Sequence, residues 1–305
     1  MMSTKGYKPE SGLAAEIEVE AYRRLFPLQY YECHLAESVR PDSRALGRAR
    51  DTTIALGPVP SADGSALVKI GDTTVLAAIK LEVMTPSIDS PDVGSVAVDF
   101  QMPPICSPVV RPGRPAEAAP VIAKQLSDVI MSSGMINLKE LSLISGKAAW
   151  MAYLDIYCLN ADGSLFDAAL LSATAAFSHL QIPLVSLNDD GKLITVSEEV
   201  KDKAAVEPVN KENRKLTIAV VPFSLTCIVH GKYILADPTS EEESVMDTHV
   251  TVVLDSKERL VSLYKAGGAV LLHTSVVKDC IVLAKQRVEE LSEILRESLS
   301  AMEVD

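Results

Sequence analysis

Ala148 to Leu159 reads AAWMAYLDIYCL, and its reading decides the fold. Trp150, Leu154, Ile156 and Cys158 fall on one face, with Met151, Tyr153 and Tyr157 on the other. Apolar on both sides and rich in aromatics, the stretch reads as a strand at the centre of a sheet. Asn160 to Gly163 (NADG) then turns the chain, since glycine takes the positive φ that such a turn needs. Ser164 and Asp167 form an S-x-x-D capping signal ahead of LFDAALLSATAAFSHL. A helix so apolar and so rich in small residues is expected to be buried on most of its circumference, close against a sheet. Pro183 blocks its continuation.

Around this strand–turn–helix unit the chain supplies covering layers. Leu13 to Phe26 has helical spacing in Ile17, Ala21 and Leu25, and Pro27 is expected to end it. Short strands are predicted at Thr52 to Leu56, Ser65 to Ile70 and Thr73 to Val83, the last two joined by a hairpin at Gly71 and Asp72. Val96, Val98 and Phe100 alternate as a further strand. Pro103 to Pro120 reads as a long ordered loop, and Ala123 to Ser133 as an amphipathic helix with Leu126, Val129 and Ile130 inward. After the central unit come strands near Leu184 to Leu187 and Leu193 to Val196, then a charged, exposed excursion at Val200 to Lys215.

A meander is expected from Leu216 to Val221, Leu225 to Val229 and Lys232 to Ala236. A hairpin follows at Val250 to Leu254 and Leu260 to Tyr264, broken by Gly267 and Gly268. Val277, Ile281, Ala284, Val288, Leu291 and Leu295 make one apolar stripe on a helix from Thr274 to Met302. The strand and helix order repeats in outline, which gives an α+β fold of two β–α halves with mixed sheets, packed helices and a long C-terminal helix. The division expected is an N-terminal helical extension (1–28), a first half with the central unit (29–200) and a second half with the last helix (201–305).

The totals narrow the chemistry. At 305 residues and 48% hydrophobic, a substantial core is available. With 41 acids against 29 bases the net charge is −12, a poor basis for autonomous nucleic-acid binding. Cys33, Cys106, Cys158, Cys227 and Cys280 are far apart and form no C-x-x-C pair, which fits reduced, mostly buried thiols. The five histidines make no zinc pattern, no apolar run approaches membrane-spanning length, and MMSTKGYKPE lacks a signal-peptide core. A soluble intracellular protein without cofactor or metal is the expectation.

Four stretches taken together resemble the RNase PH family: RPDSR (Arg40 to Arg44), ADGSALVKIGDTTVLAAIK (Ala62 to Lys80), the strand–DG–DAA run, and DPTSEEE (Asp237 to Glu243). The resemblance is nearest to the non-phosphorolytic ring subunits of the eukaryotic RNA exosome. It implies a six-membered ring around a pore for single-stranded RNA, OB-fold and KH-containing cap subunits, an associated exoribonuclease, and residence in nucleus, nucleolus and cytoplasm. Active members cut RNA from its 3′ end with inorganic phosphate.

Three departures from the active pattern imply a silent site. The family's L-D-L-x-x-x-E-D stretch falls on Leu235 to Glu243, so the two catalytic aspartate positions hold Asp237 and Glu243, and Pro238 stiffens the loop between them. The phosphate loop Q-G-S/T falls on Lys265-Ala266-Gly267-Gly268-Ala269, without glutamine or hydroxyl. The arginine of D-G-G-T-R has no counterpart in Asp162 to Asp167. What remains is a degenerate site of Asp237, Glu242 and Glu243. RNA contacts are assigned to Lys69 and Lys80 on the early hairpin, although strand lysines more often protect a sheet edge, and to Arg111 and Arg114 in the proline-rich loop, the latter two being equally compatible with a plain surface loop.

Rival readings stand beside these. The acidic run from Asp237 could hold Mg²⁺ for a hydrolase, though a solvated loop whose aspartate caps a turn is preferred. Asp237 could serve an active phosphorolytic enzyme. Gly267–Gly268 could cradle a phosphate, though a bend is preferred. Trp150 reads as core. Arg40 and Arg44 are expected to pair with acids within the subunit or across a ring interface, and Ser43, where the family has glycine, must avoid positive φ or tolerate it.

Overall fold

The computed structural model describes residues 12–183, 185–187, 193–195, 214–268 and 272–302. The chain opens with helices α1 (Gly12–Leu25) and α2 (Pro27–Ala36). Pro27 starts α2 where the sequence reading had it only ending α1. Its fixed φ suits a first helical turn, and the N–H it lacks would have no partner there.

The first sheet is built from β1 (Thr52–Leu56), β2 (Gly64–Ile70), β3 (Thr73–Met84) and β4 (Ser95–Gln101), then α3 (Ala118–Ser133) intervenes before β5 (Ser142–Ile144) and β6 (Ala148–Asn160). Its order is β1-β2-β3-β6-β4, with β5 also on β6, antiparallel throughout except for the parallel pair of β4 and β6. Helix α4 (Leu165–His179) leaves β6 through the NADG turn. Short strands β7 (Gln181–Ile182), β8 (Val185–Leu187), β9 (Leu193–Thr195) and β10 (Arg214–Lys215) form two small ribbons, β7 with β10 and β8 with β9. Val196 and residues 200–213 of the expected second strand and excursion lie outside the described residues.

The second sheet comprises β11 (Pro222–His230), β12 (Tyr233–Ala236), β13 (His249–Asp255) and β14 (Leu260–Lys265), with α5 (Ser240–Val245) between β12 and β13 and α6 (Thr274–Met302) at the end. It is antiparallel, in the order β12-β11-β13-β14. The strand expected at Leu216 to Val221 does not form. The Thr217 N–H goes to the Glu140 carboxylate (3.1 Å) and the Ala219 N–H to the Met135 carbonyl (3.2 Å), leaving a single bridge between Ile136 and Ile218.

Helix α4 touches β2, β3 and β6 of the first sheet and β11 of the second. That double contact explains a sequence without a polar face: Ala168, Ala169, Ala173, Ala175 and Ala176 are fully buried, and such small side chains let backbones approach closely. The stripe on α6 is buried at Ala284, Val288, Leu291 and Leu295 as the spacing required, each larger side chain being worth about 1.5–3 kcal/mol.

Two local expectations are corrected. β6 lies inside the sheet, yet only one of its faces is covered: Trp150, Leu154, Ile156 and Cys158 are buried while Tyr153 and Tyr157 stand exposed. The S-x-x-D cap is not made either. Ser164 adopts left-handed backbone (φ 48°) and its hydroxyl donates to the Pro238 carbonyl (3.2 Å), while Asp167 accepts the Thr226 N–H (2.7 Å).

Candidate functional site

Two strand-to-helix turns meet at one end of α4. One is Asn160 to Ser164, between β6 and α4; the other is Asp237 to Thr239, between β12 and α5. Gly163, at φ 76°, makes the meeting possible. A Cβ there would lie 2.3 Å from the Pro238 carbonyl oxygen and 2.8 Å from the Ser240 nitrogen. Asp237 itself has φ 49°, a left-handed conformation that aspartate tolerates better than most side chains. The turns are stitched by the Ser240 hydroxyl donating to Asp162 Oδ1 (2.9 Å) and the Ser164 N–H donating to Glu243 Oε1 (2.8 Å).

The loop from Arg40 to Arg50 brings three arginines onto this junction. Asp237, only 2% exposed, is held by Arg50: Nη2 donates to Oδ1 (2.7 Å), Nε to Oδ2 (2.9 Å), and the Arg50 backbone N–H to Oδ2 as well (2.7 Å). Arg50 reaches on to Asp162 through Nη1 (3.1 Å), and its stem lies in the space that a side chain at Gly71 would fill, 2.4 Å from the ideal Cβ position. Arg44 Nη1 sits 3.5 Å from Asp237 Oδ2, while its Nε donates to Asp42 (2.5 Å). Arg40, 1% exposed, forks onto Glu242 and donates to the Ala236 carbonyl (2.6 Å) and the Asp237 carbonyl (3.1 Å). Arg40 and Arg44 thus pair with acids of their own subunit, as expected, and Ser43 tolerates a φ of 66°.

The solvated-loop reading of the acidic run is overturned. Asp237 and Glu242 are buried, and α5 opens with a capping box in which Thr239 and Glu242 satisfy each other's backbone N–H groups. Exposed Glu241 takes hydrogen bonds from Arg23 of α1 and from the Tyr31 hydroxyl (3.1 Å), so even that acid ties down the N-terminal helices.

Electrostatics divide the acids. Burial pushes the Asp237 carboxyl up, but the hydrogen bonds and charge of Arg50 outweigh it and hold the group below its ordinary value. Burial pushes Glu243 up to about 7 despite the Ser164 N–H, and Asp167 up to about 6 despite the Thr226 N–H that its Oδ2 accepts. Asp237 is therefore a charge already spent on an internal cation. A carboxylate whose two oxygens each accept from Arg50 has little capacity left for a metal ion or a proton in transit. Among the described residues no three His, Cys, Asp or Glu side chains converge as a metal site.

The other residues singled out by the sequence lie elsewhere. Lys69 and Lys80 stand on the outer face of the first sheet, and Lys80 pairs with Asp63 (3.3 Å). Arg111 and Arg114 border a groove of about 410 Å³ with Met102, Val109, Val110 and Pro115, and Arg114 pairs with Glu117 (3.2 Å). None of these four cations shares a hydrogen bond or ion pair with the Asp237 cluster. Gly267 and Gly268 bend the chain at positive φ, and their carbonyls accept from Lys265 Nζ (2.6 and 3.1 Å). Trp150 is core.

Arg50 was missed in the sequence. It stands in LGRARD as the last of a run of nearby arginines, with no spacing that separates it from Arg48, which is exposed and pairs loosely with Asp51 (3.9 Å). The capping box did have a signal, Thr239-x-x-Glu242, masked by the reading of the acidic run as a unit.

Residues 48–183 match the 3′ exoribonuclease family, domain 1, and residues 221–287 match its domain 2. Similar proteins include the exosome complex component rrp43 of Schizosaccharomyces pombe, 31% identical over 266 residues that cover 87% of this chain and 94% of that protein. The exosome complex component Rrp42 of Thermococcus gammatolerans is 33% identical over 269 residues, covering 88% and 93%. Among solved structures, a chain of the Archaeoglobus fulgidus exosome with RNA bound to the active site superposes with a TM-score of 0.75 at 29% identity, covering 91% of this chain and 98% of that one. Rice Rrp46 shares the fold, with a TM-score of 0.63 at 17% identity over 86% of this chain and all of that one.

Proposed function

The chain belongs to the RNase PH family of 3′ exoribonucleases, and from that premise we propose that it is a structural subunit of an RNA exosome ring that does not itself cut RNA. Its part is to shape the pore through which single-stranded RNA passes for 3′–5′ processing and degradation. It would do so beside other RNase PH-like subunits, beneath OB-fold and KH-containing caps and with a separate exoribonuclease. The rrp43 and Rrp42 relatives are named exosome complex components, and they match across nearly the whole length of this chain. Nucleus, nucleolus and cytoplasm are the compartments this role implies.

One observation carries the silent half of the proposal: Arg50 occupies Asp237. Phosphorolysis asks the protein to hold inorganic phosphate with free cations and N–H groups, and to place a carboxylate within reach of the reacting atoms or a metal. Here the carboxylate and the nearest guanidinium neutralise each other, and the glycines of the expected phosphate loop are tied by Lys265. Arg111 and Arg114, bordering the groove with Met102 and Pro115, are the cations proposed to meet RNA; Lys69 and Lys80 stand on the outer face of the first sheet, where Lys80 is paired with Asp63.

The test has two readouts. The chain isolated from native extract should run with ring partners identifiable by mass spectrometry, and a complex reconstituted with Asp237→Ala should degrade RNA at the wild-type rate. A lone chain would end the ring reading; a loss of decay with the ring intact would end the silent reading.

A further inference from the structure

The first sheet has a covered face and an open one. On the open face Tyr153 and Tyr157, each 38% exposed, stand two residues to either side of Asp155 on β6. Register fixes their neighbours: Tyr153 lies between Lys80 of β3 and Ala97 of β4, and Tyr157 between Leu76 and Gln101. In the row between them, Asp155 lies next to Ala78 on one side and Asp99 on the other.

Asp99 and Asp155 are thus like charges in directly adjoining positions of a parallel pair, an arrangement that destabilises a sheet left to itself. Gln101 donates to Asp99 (2.7 Å), but among the described residues neither carboxylate has an ion pair. Lys80, the nearest cation by register, is turned to Asp63. Burial, and then Asp99, push the Asp155 carboxyl above its ordinary value, and among the described residues no cation is placed against the pair.

We infer that this open sheet face is the seat of a neighbouring ring subunit, which lays an arginine or lysine over Asp99 and Asp155 between the two tyrosines. The inference rests on the ring reading above and names the surface and the chemistry of one of its contacts. Exposed tyrosines flanking small and aliphatic residues suit the core of a protein interface, where tyrosine and arginine are enriched. An RNA strand is the competing occupant, since tyrosines and lysines on a sheet can stack bases and hold phosphates. The acid pair argues against it: a phosphate backbone crossing from Tyr153 to Tyr157 would pass over two carboxylates, and Lys80 is already engaged.

Hydroxyl-radical footprinting read by mass spectrometry, on the full chain alone and in its native complex, tests this. Assembly without RNA should lower labelling of Tyr153 and Tyr157 several-fold. The double reversal D99K/D155K should cut incorporation into the complex at least ~tenfold, with circular dichroism and melting temperature unchanged. If the variant does not fold, the wild-type footprint decides. A chain that enters the ring with both tyrosines labelled as before overturns this inference and leaves the ring reading standing. So does protection that appears only when single-stranded RNA is added. A chain that enters no ring overturns both.

Discussion

Arg50 and Asp237 meet side-on, Nη2 to Oδ1 at 2.7 Å and Nε to Oδ2 at 2.9 Å, with the Arg50 backbone N–H closing on Oδ2 from the same loop. Arg50 is 8% exposed and Asp237 2%, so each charge depends on the other. Removing one partner leaves an uncompensated buried ion. Arg50→Ala should therefore destabilise the chain by about 3–5 kcal/mol in urea unfolding, and Asp237→Ala by a similar amount. The double variant should cost less than the sum. Additive losses would mean that the two residues do not act as a pair.

Gly163 gives a steric prediction at the same junction. Gly163→Ala places a methyl against Pro238 and Thr239 at distances that real Cβ atoms do not tolerate, and at a φ that disfavours alanine. The Asp237 turn must move, at a cost of about 2 kcal/mol or more, read as a lowered melting temperature. A wild-type melt would show that the two turns are less tightly meshed than described.

The acids beside the pair set the pH dependence, and the sign follows from where their protons go. Glu243 titrates at about 7 when folded against 4.5 unfolded, and Asp167 at about 6 against 3.8. Across that window the folded chain binds more protons than the unfolded one, so their contribution to stability falls as pH rises from about 4.5 to about 7. Asp237 acts oppositely: its stabilisation is present above its unfolded value of 3.8 and is lost as pH falls through its lower folded value. Glu243→Gln keeps an acceptor for the Ser164 N–H and cannot ionise. It should raise stability at pH 7.5 by about 1–3 kcal/mol and flatten the slope between pH 5 and 7. A variant with the wild-type slope would assign the titration elsewhere.

The N-terminal helices offer an independent check. Glu241 of α5 receives Arg23 and the Tyr31 hydroxyl, and both it and Arg23 are partly exposed, so their ion pair is worth no more than about 1 kcal/mol. Glu241→Gln should leave global stability nearly unchanged while raising amide hydrogen exchange in α1. A large global loss would make α1 part of the core.

Much of this was legible in the sequence, for reasons that can be named. The α6 stripe gave its helix from Thr274 to Met302 because one apolar face at helical spacing allows no other packing. The small residues of α4 signalled burial on most of its circumference, although not that two sheets share it. Tyr153 and Tyr157 misled, since aromatic side chains on a second face read as core when nothing in the chain says that the face stays open. The acidic run misled in the opposite direction: charge density suggested solvent, while the arginines that bury Asp237 and Glu242 lie some two hundred residues earlier. Long-range ion pairing has no local pattern, and for that reason Arg50 stayed hidden among its neighbours.

In the proposed silent role, Arg50 closes the site that would otherwise act on RNA. The most direct test of that role incubates the purified chain, and separately its assembled complex with the partner nuclease inactivated, with labelled single-stranded RNA, inorganic phosphate and Mg²⁺. The expected result is no release of nucleoside diphosphates traceable to this subunit and no change on Asp237→Ala. Phosphate-dependent release that disappears with Asp237→Ala in a folded chain would contradict it.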